Sequence, residues 1–303
     1  MINQLLHEQQ KGYIGSVYDL KMILCACLNY GHVLLEGPPG LGKTKLANTI
    51  SETLGGTFNR IQFTPDLLPS DVTGIKFFHP GTQSFEIKQG PIFTNVLLAD
   101  EINRATPKTQ SSLLQAMQEQ QVTIDDTTFK LPDPFIVLAT QNPLDHQQGT
   151  FQLPEAQMDR FMIRIFMGYP SFEDEIKIIS GHYQERVHQV LESTEAFQAL
   201  RQQTNEIFCH EDLYKYITYI VHQTRTDQEI IQGLSPRAGI HIVGMSKAFA
   251  LINGRDYVIP DDVREVVPYI AVHRMTYRNA RLSEGDKLAM MNRIIGEIDV
   301  PAL

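Results

Sequence analysis

The sequence predicts an α/β fold built on a parallel sheet, followed by an all-helical domain. Three observations predict it. Short, continuously apolar runs alternate with helical patterns up to about residue 169. A glycine-rich turn separates the first of those runs from a helix. Beyond Pro170 only helical periodicities recur. With 303 residues, 42% hydrophobic and 20% charged, the chain has material for two packed units and lacks the composition of a disordered one.

The elements follow in order. VLLE, Val33–Glu36, is a short apolar strand that runs into the loop GPPGLG, and KTKLANTISETL then places Leu46, Ala47, Ile50 and Leu54 at helical spacing. Residues 58–63, 96–99 (VLLA) and 135–140 (FIVLAT) are further strands, of the unbroken apolar kind that suits a parallel sheet covered on both faces. Residues 108–120 read as helix. Residues 70–93 read as a small excursion with short strands around 84–88, and residues 121–131 alternate on either side of Asp125 and Asp126 as a β-hairpin. After Tyr169 the text PSFEDE offers Ser171 as a helix cap with Asp174 closing a capping box. Helices are then expected at 172–183, 195–203, 211–224, 236–252, 261–273 and 284–295.

Composition excludes several classes. Lys plus Arg number 26 against 35 Asp plus Glu, a net charge of −9, which argues against a general binder of nucleic-acid backbones. The three cysteines, Cys25, Cys27 and Cys209, have neither C-x-x-C spacing nor partners for a disulfide framework. The longest apolar run near the N-terminus, residues 22–28, falls short of the roughly 20 residues that span a bilayer, and no basic leader precedes it. A cytoplasmic protein without a membrane span is the expectation. Ten scattered histidines show no metal-ligand spacing and are expected on surfaces or helix faces.

Three places, completed by two arginines, carry the chemistry. GPPGLGKT, residues 37–44, matches G-x-x-x-x-G-K-[ST]. Gly37, Gly40 and Gly42 let the backbone close around phosphates, Lys43 supplies a point charge for the β and γ groups, and Thr44 offers a hydroxyl to Mg²⁺. Pro38, Pro39, Leu41 and Lys45 complete the expected nucleotide-binding loop, whose following helix adds exposed N–H groups. Asp100 and Glu101 emerge together at the end of a buried strand, where Asp100 can hold Mg²⁺ through water and Glu101 can orient and polarise the attacking water. Asn142, just past the strand ending at Thr140, can reach the γ-phosphate or the lytic water, although an Asn-Pro pair is also a common turn; Thr140 and Gln141 are weaker candidates.

Two arginines complete the set. Arg237, in GLSPRAG, follows a capping Ser235 and Pro236 and so sits in the first helical turn, where the helix dipole disfavours a cation. An anion arriving opposite it accounts for that placement, and a plain surface arginine is the alternative. Arg160, in LPEAQMDRF, either pairs with Asp159 or Glu155 of its own chain or projects across a subunit boundary to neutralise charge on the transferring γ-phosphate.

Taken together, GHVLLEGPPGLGKT (31–44), LLPSDVTG (67–74), GPIFTNVLLADEINRATPKTQSSLLQAMQE (90–119), LATQNP (138–143), GTFQLPEAQMDRF (149–161) and LSPRAG (234–239) resemble the AAA+ ATPases and, more closely, the MoxR family. The resemblance implies an AAA+ P-loop NTPase core over residues 1–169 and a helical lid domain over 170–303. It implies that residues 37–44 are the Walker A loop, Asp100 and Glu101 the Walker B acids, Asn142 the first sensor, Arg160 the arginine finger and Arg237 the second sensor. Gly12 to Gly15, in KGYIGS, is implied to be the stretch that packs beside the adenine, with Gly15 as its nucleotide-binding residue, and the excursion and hairpin resemble the family's helix-2 insert and pre-sensor hairpin. The chain departs from the family in LDHQQGT, residues 144–150, which lacks the glutamate often found before Gly-Thr. The family implies ATP and Mg²⁺ as ligands, a hexameric homo-oligomeric ring, a protein client, and a von Willebrand factor A domain protein as associate. The expected activity is Mg²⁺-dependent ATP hydrolysis that remodels or matures the client. A nucleic-acid motor and a nucleotide-gated assembly scaffold are the alternatives; the acidity and the Asp125-Asp126 tip oppose the first, and Glu101 opposes a scaffold that never hydrolyses.

Overall fold

A computed structural model describes residues 1–142, 150–181 and 187–301. The chain opens with α1 (Ile2–Gly12) and α2 (Val17–Leu28), then β1 (Val33–Glu36), α3 (Lys43–Leu54) and β2 (Phe58–Gln62). Next come α4 (Pro69–Thr73), β3 (Gly74–His79), β4 (Ser84–Gln89), β5 (Val96–Asp100), α5 (Pro107–Glu119), β6 (Gln121–Ile124), β7 (Thr127–Lys130) and β8 (Ile136–Gln141). After α6 (Glu155–Met158), β9 (Ile163–Phe166) and α7 (Phe172–Ile179), the remainder holds α8 (Thr194–Glu206), α9 (Glu211–Thr226), β10 (Ile230–Gln232), α10 (Pro236–Ile252), α11 (Pro260–Ala271), β11 (Thr276–Tyr277) and α12 (Glu284–Gly296).

Two compact units result: Met1–Val17 with His32–Phe161 and Ile165–Gln198, and Tyr18–Gly31 with Met162–Arg164 and Ala199–Leu303. The first contains a five-stranded sheet in the order β2-β5-β8-β1-β9, with β2/β5, β5/β8 and β8/β1 parallel. The three central strands are buried along almost their whole length, so both faces need apolar side chains and an unbroken apolar run results. Edge strand β9 (IRIF) alternates buried and open positions instead. Leu34, Leu97 and Val137 from the sheet share a core cluster with Leu113 and Met117 of α5 and with Phe161.

The chain leaves β1 for the far edge, β2, and the strands between are filled later. Neighbours β8 and β9 therefore enter on opposite sides of β1, and the crevice outside its carboxyl end is where an open α/β sheet receives ligands. The excursion is α4 followed by the antiparallel pair β3/β4, and residues 121–130 are the hairpin β6/β7. The turn of that hairpin is tied to the excursion by Lys76, whose ammonium lies 2.9 Å from Asp125 and 3.2 Å from Asp126.

His32 departs from the surface position expected of the histidines. It is buried, its Nδ1 accepts from the Val137 N–H at 3.0 Å, and its Nε2 faces the Met117 carbonyl at 3.2 Å, so the ring bridges β8 and α5.

Helices dominate the second unit because their apolar residues recur at helical spacing, as in α11, where Val263, Val266, Val267 and Ile270 are all buried. A short antiparallel pair, β10/β11, is the added detail. The expected cap at Ser171 forms, its hydroxyl accepting from the Asp174 N–H at 3.2 Å and donating to the Asp174 carboxylate at 2.9 Å. The helix that follows ends at Ile179 rather than running to 183, and residues 182 and 183 lie outside the described ones.

Candidate active site

The glycine loop begins where β1 ends. Gly37 has φ 155°, and a Cβ there would lie 2.5 Å from the Met167 carbonyl oxygen, so the chain leaving β9 closes the space any other residue needs. Gly40 has φ 85°, a left-handed conformation, and no atom lies within 4 Å of a Cβ position there, so the backbone at Gly40 faces open space. Pro38 and Pro39 stiffen the turn between them, and Leu41 packs inward near Gly37. Gly42 caps α3 without a side chain, so the first N–H groups of α3 are not met by a side-chain cap. Thr44 and Lys45, in the first turn of that helix, are exposed.

Lys43 is half-buried and folds its ammonium onto the Gly37 carbonyl at 2.6 Å. Burial pulls its pKa below the ordinary lysine value, while the charges of Asp100, Glu101 and Glu36 pull the other way. An anion in the loop relieves that tension, since it would stabilise the charged amine where water has been removed.

Parallel register aligns the strand ends. Glu36 pairs with Gln141, Ala99 with Ala139, and Gln62 with Asp100, so the loop after Glu36, Asn142 and the acidic pair lie at one edge of the sheet. One strand, β8, stands between the loop strand and the acidic strand, a separation of about 10 Å at ordinary strand spacing. Thr140 on that intervening strand is a hub: its hydroxyl donates to Asp100 Oδ1 at 2.6 Å and accepts the Glu101 N–H at 2.9 Å. Gln141 donates to the Glu36 carboxylate beside it. Asn142 follows, half-buried.

Both acids have further partners that the sequence reading did not name. Arg60 on β2 donates to Asp100 Oδ2 from Nη2 at 2.7 Å and from Nε at 3.2 Å, and to the Gln62 side-chain oxygen at 2.8 Å. Gln62 in turn donates to Glu101 Oε2 at 2.8 Å, and Arg104 lies 3.3 Å from the same oxygen. Residues 60 and 62 point to one face of β2, a period-2 signal whose meaning depends on which strand lies alongside. Glu101 itself has φ 56°, a left-handed conformation that a non-glycine residue adopts at a cost, fixed here by Thr140 before it and a 3-10 turn, Ile102–Arg104, after it.

Gly15 is brought to the loop through Tyr13. The Tyr13 ring would come within 2.4 Å of a Cβ at Gly15 and within 3.5 Å of one at Gly42. Tyr13 belongs to the stretch 12–15 that the resemblance implies to pack beside the adenine. Arg160 follows α6 by two residues and donates to the Leu114 carbonyl of α5 at 2.7 Å. Arg237 lies in the other unit, exposed in the first turn of α10; Ser235 occupies the N-cap position there, but its side chain makes no cap hydrogen bond.

No group of three metal-ligating side chains exists among the described residues. This donor set nonetheless suits Mg²⁺, which takes one or two protein oxygens and completes its shell with water and phosphate. Thr44 supplies a hydroxyl, and Asp100, with both oxygens already accepting hydrogen bonds, suits a contact through water. A glycine loop between strand and helix, with paired acids two strands away, defines a P-loop nucleoside triphosphatase.

Comparison with known proteins narrows the class. The family model described as ATPase family associated with various cellular activities (AAA) matches residues 32–163, and an AAA lid domain matches residues 222–294. The chaperone MoxR1 of Mycobacterium tuberculosis is 41% identical over 313 residues, 99% of this chain and 82% of its own. YeaC of Bacillus subtilis, an uncharacterized protein, is 45% identical over 284 residues, covering 92% of this chain and 88% of its own. A crystal structure of a protein assigned as an ATPase from Cytophaga hutchinsonii superposes with a TM-score of 0.90 at 38% identity, over 99% of this chain and 95% of that one. The chain belongs to the MoxR family of AAA+ ATPases, with an AAA+ P-loop core followed by a helical lid, and is an ATP-hydrolysing enzyme.

Proposed function

We propose that this chain is a Mg²⁺-dependent ATPase, converting ATP and water to ADP and phosphate, whose cycle remodels or matures a protein client. The observation that carries the reading is the register that sets the glycine loop, Asn142 and the Asp100-Glu101 pair at one edge of one sheet. In this reading residues 1–169 act as the nucleotide-binding core and 170–303 as the lid. Gly15, the loop residues 37–45 and Arg237 hold the nucleotide. Lys43 gives up its contact with the Gly37 carbonyl to meet the β and γ phosphates. Mg²⁺ supplies charge neutralisation at the phosphates, and Thr44 and Asp100 would hold it. Glu101 orients and polarises the water and Asn142 steadies it, while Arg160 of a neighbouring copy and Arg237 neutralise charge on the γ-phosphoryl oxygens.

The chaperone name of the Mycobacterium relative supports a protein client. We place the enzyme in the cytoplasm as a homo-oligomer, most simply a hexameric ring, with a von Willebrand factor A domain protein as an associate. No helix among the described residues is long and apolar enough to cross a membrane. A nucleic-acid client is disfavoured by the net charge of −9 and by the carboxylates at the tip of the β6/β7 hairpin. The test is a capture experiment with Glu101→Gln, expected to hold ATP without cleaving it. The variant should retain protein partners in the presence of ATP and Mg²⁺ and release them with ADP. Equal retention with both nucleotides contradicts a nucleotide-driven client cycle.

A further inference from the structure

The side chain of Gln110, fully buried near the start of α5, is surrounded by main-chain carbonyls. Its amide nitrogen lies 3.1 Å from the Ile102 oxygen, 3.1 Å from the Ala105 oxygen and 2.9 Å from the Phe151 oxygen. Chemistry fixes the orientation of the amide, because the reverse would set an oxygen against three oxygens. Among the described residues its own Oε1 finds no hydrogen-bond partner. An apolar side chain of the same size would avoid that orphaned acceptor, so what the glutamine contributes is its donor end.

The three carbonyls belong to two segments with different duties. Ile102 and Ala105 are in the turn directly after Glu101, which leaves the sheet in a left-handed conformation. Phe151 opens the segment that leads through α6 to Arg160. A reciprocal bond joins the two, the Phe151 N–H donating to the Asn103 oxygen at 2.7 Å. Arg160 is then anchored on α5 at the Leu114 carbonyl, one helical turn beyond Gln110. One turn of α5 therefore holds both the acidic turn and the arginine.

We propose that Gln110 is a positioning residue that couples the acidic turn carrying Glu101 to the segment carrying Arg160. The inference rests on the roles given above to Glu101 and Arg160. Its consequence is that occupancy of one site alters how Arg160 is presented, to the neighbouring copy in a ring.

A double-mutant cycle in kcat tests the coupling. Gln110→Met keeps the volume and removes the donors; it should lower kcat by about tenfold while KM and the affinity for a fluorescent ATP analogue change little. Because Gln110 couples the acidic turn to Arg160, the two substitutions should be less than multiplicative: Gln110→Met should slow Arg160→Ala by clearly less than it slows the wild type. Multiplying effects, or an unchanged kcat in Gln110→Met, overturn the proposal. Should Gln110→Met fail to fold, hydrogen exchange on the wild-type chain decides: a non-hydrolysable ATP analogue with Mg²⁺ should slow exchange across residues 151–160, and unchanged exchange overturns the coupling. Mixing Glu101→Gln with Arg160→Ala subunits probes the trans role separately. A non-additive cycle supports the coupling even where that mixture shows no rescue, a result that removes only the neighbour from the account.

Discussion

Thr140 gives one hydroxyl two duties, donating to Asp100 and accepting from the Glu101 backbone. Thr140→Val keeps the shape and leaves both groups short of a partner, at a cost of about 1–3 kcal/mol. We expect phosphate release to slow about tenfold with ATP affinity retained, since both acids lose their alignment while the glycine loop is untouched. Calorimetry and a phosphate-release assay read the two effects, and equal losses in both would contradict this division. Lys43→Ala should do the reverse: losing a charge-assisted phosphate contact weakens ATP binding by about ten- to hundredfold. Unchanged binding by a folded variant rejects the role of Lys43. The glycine loop and the acidic pair were legible in the sequence because spacing and adjacency carry them. Arg60 and Gln62 were not, because each acquires its meaning only from a partner distant in sequence, 40 positions away in the pairing of Arg60 with Asp100.

At the scale of elements, α2 shows both why the sequence reading missed a helix and what that helix does. Residues Leu20 and Met22–Leu28 are all buried, so no polar face marks the 3.6-residue period. The same burial pushes the Cys27 thiol up from 9.0 to about 12, against the opposing pull of Arg201, and pushes Cys25 well above its ordinary value. The unfolded chain ionises both thiols above about pH 8.5 while the folded chain keeps them neutral. Their contribution to stability is therefore full below that pH and is lost as pH rises toward the folded values, at about 1.4 kcal/mol per thiol per pH unit. Urea unfolding at about pH 7 and about pH 10 should show a larger fall for the wild type than for Cys25→Ala/Cys27→Ala. Equal falls would show that α2 opens its thiols to solvent. Central strands β1, β5 and β8 were legible because burial on both faces forces apolar runs. Edge strand β9 and the first excursion strand, β3, were not, since one side of each is free to be polar and the pattern weakens, whereas β4 was expected around 84–88.

For the whole molecule, the proposed function requires a second copy to complete each site. Lys43 comes from the loop, and Arg160 is held on α5 by the Leu114 carbonyl. In the proposed ring, a head-to-tail contact repeated around closed symmetry would bring each Arg160 to the next copy's nucleotide, and hydrolysis should then rise with assembly. Arg160→Ala alone should bind ATP almost normally and turn it over slowly, as should Glu101→Gln. The most direct measurement is phosphate release against mixing ratio for those two variants, after subunit exchange has been verified. Activity above the sum of the separate variants is expected, greatest at intermediate ratios, because some interfaces then pair an intact Glu101 with an intact Arg160 from the neighbour. Activity equal to the sum at every ratio, or full activity in a verified monomer, would contradict completion of the site by a second copy.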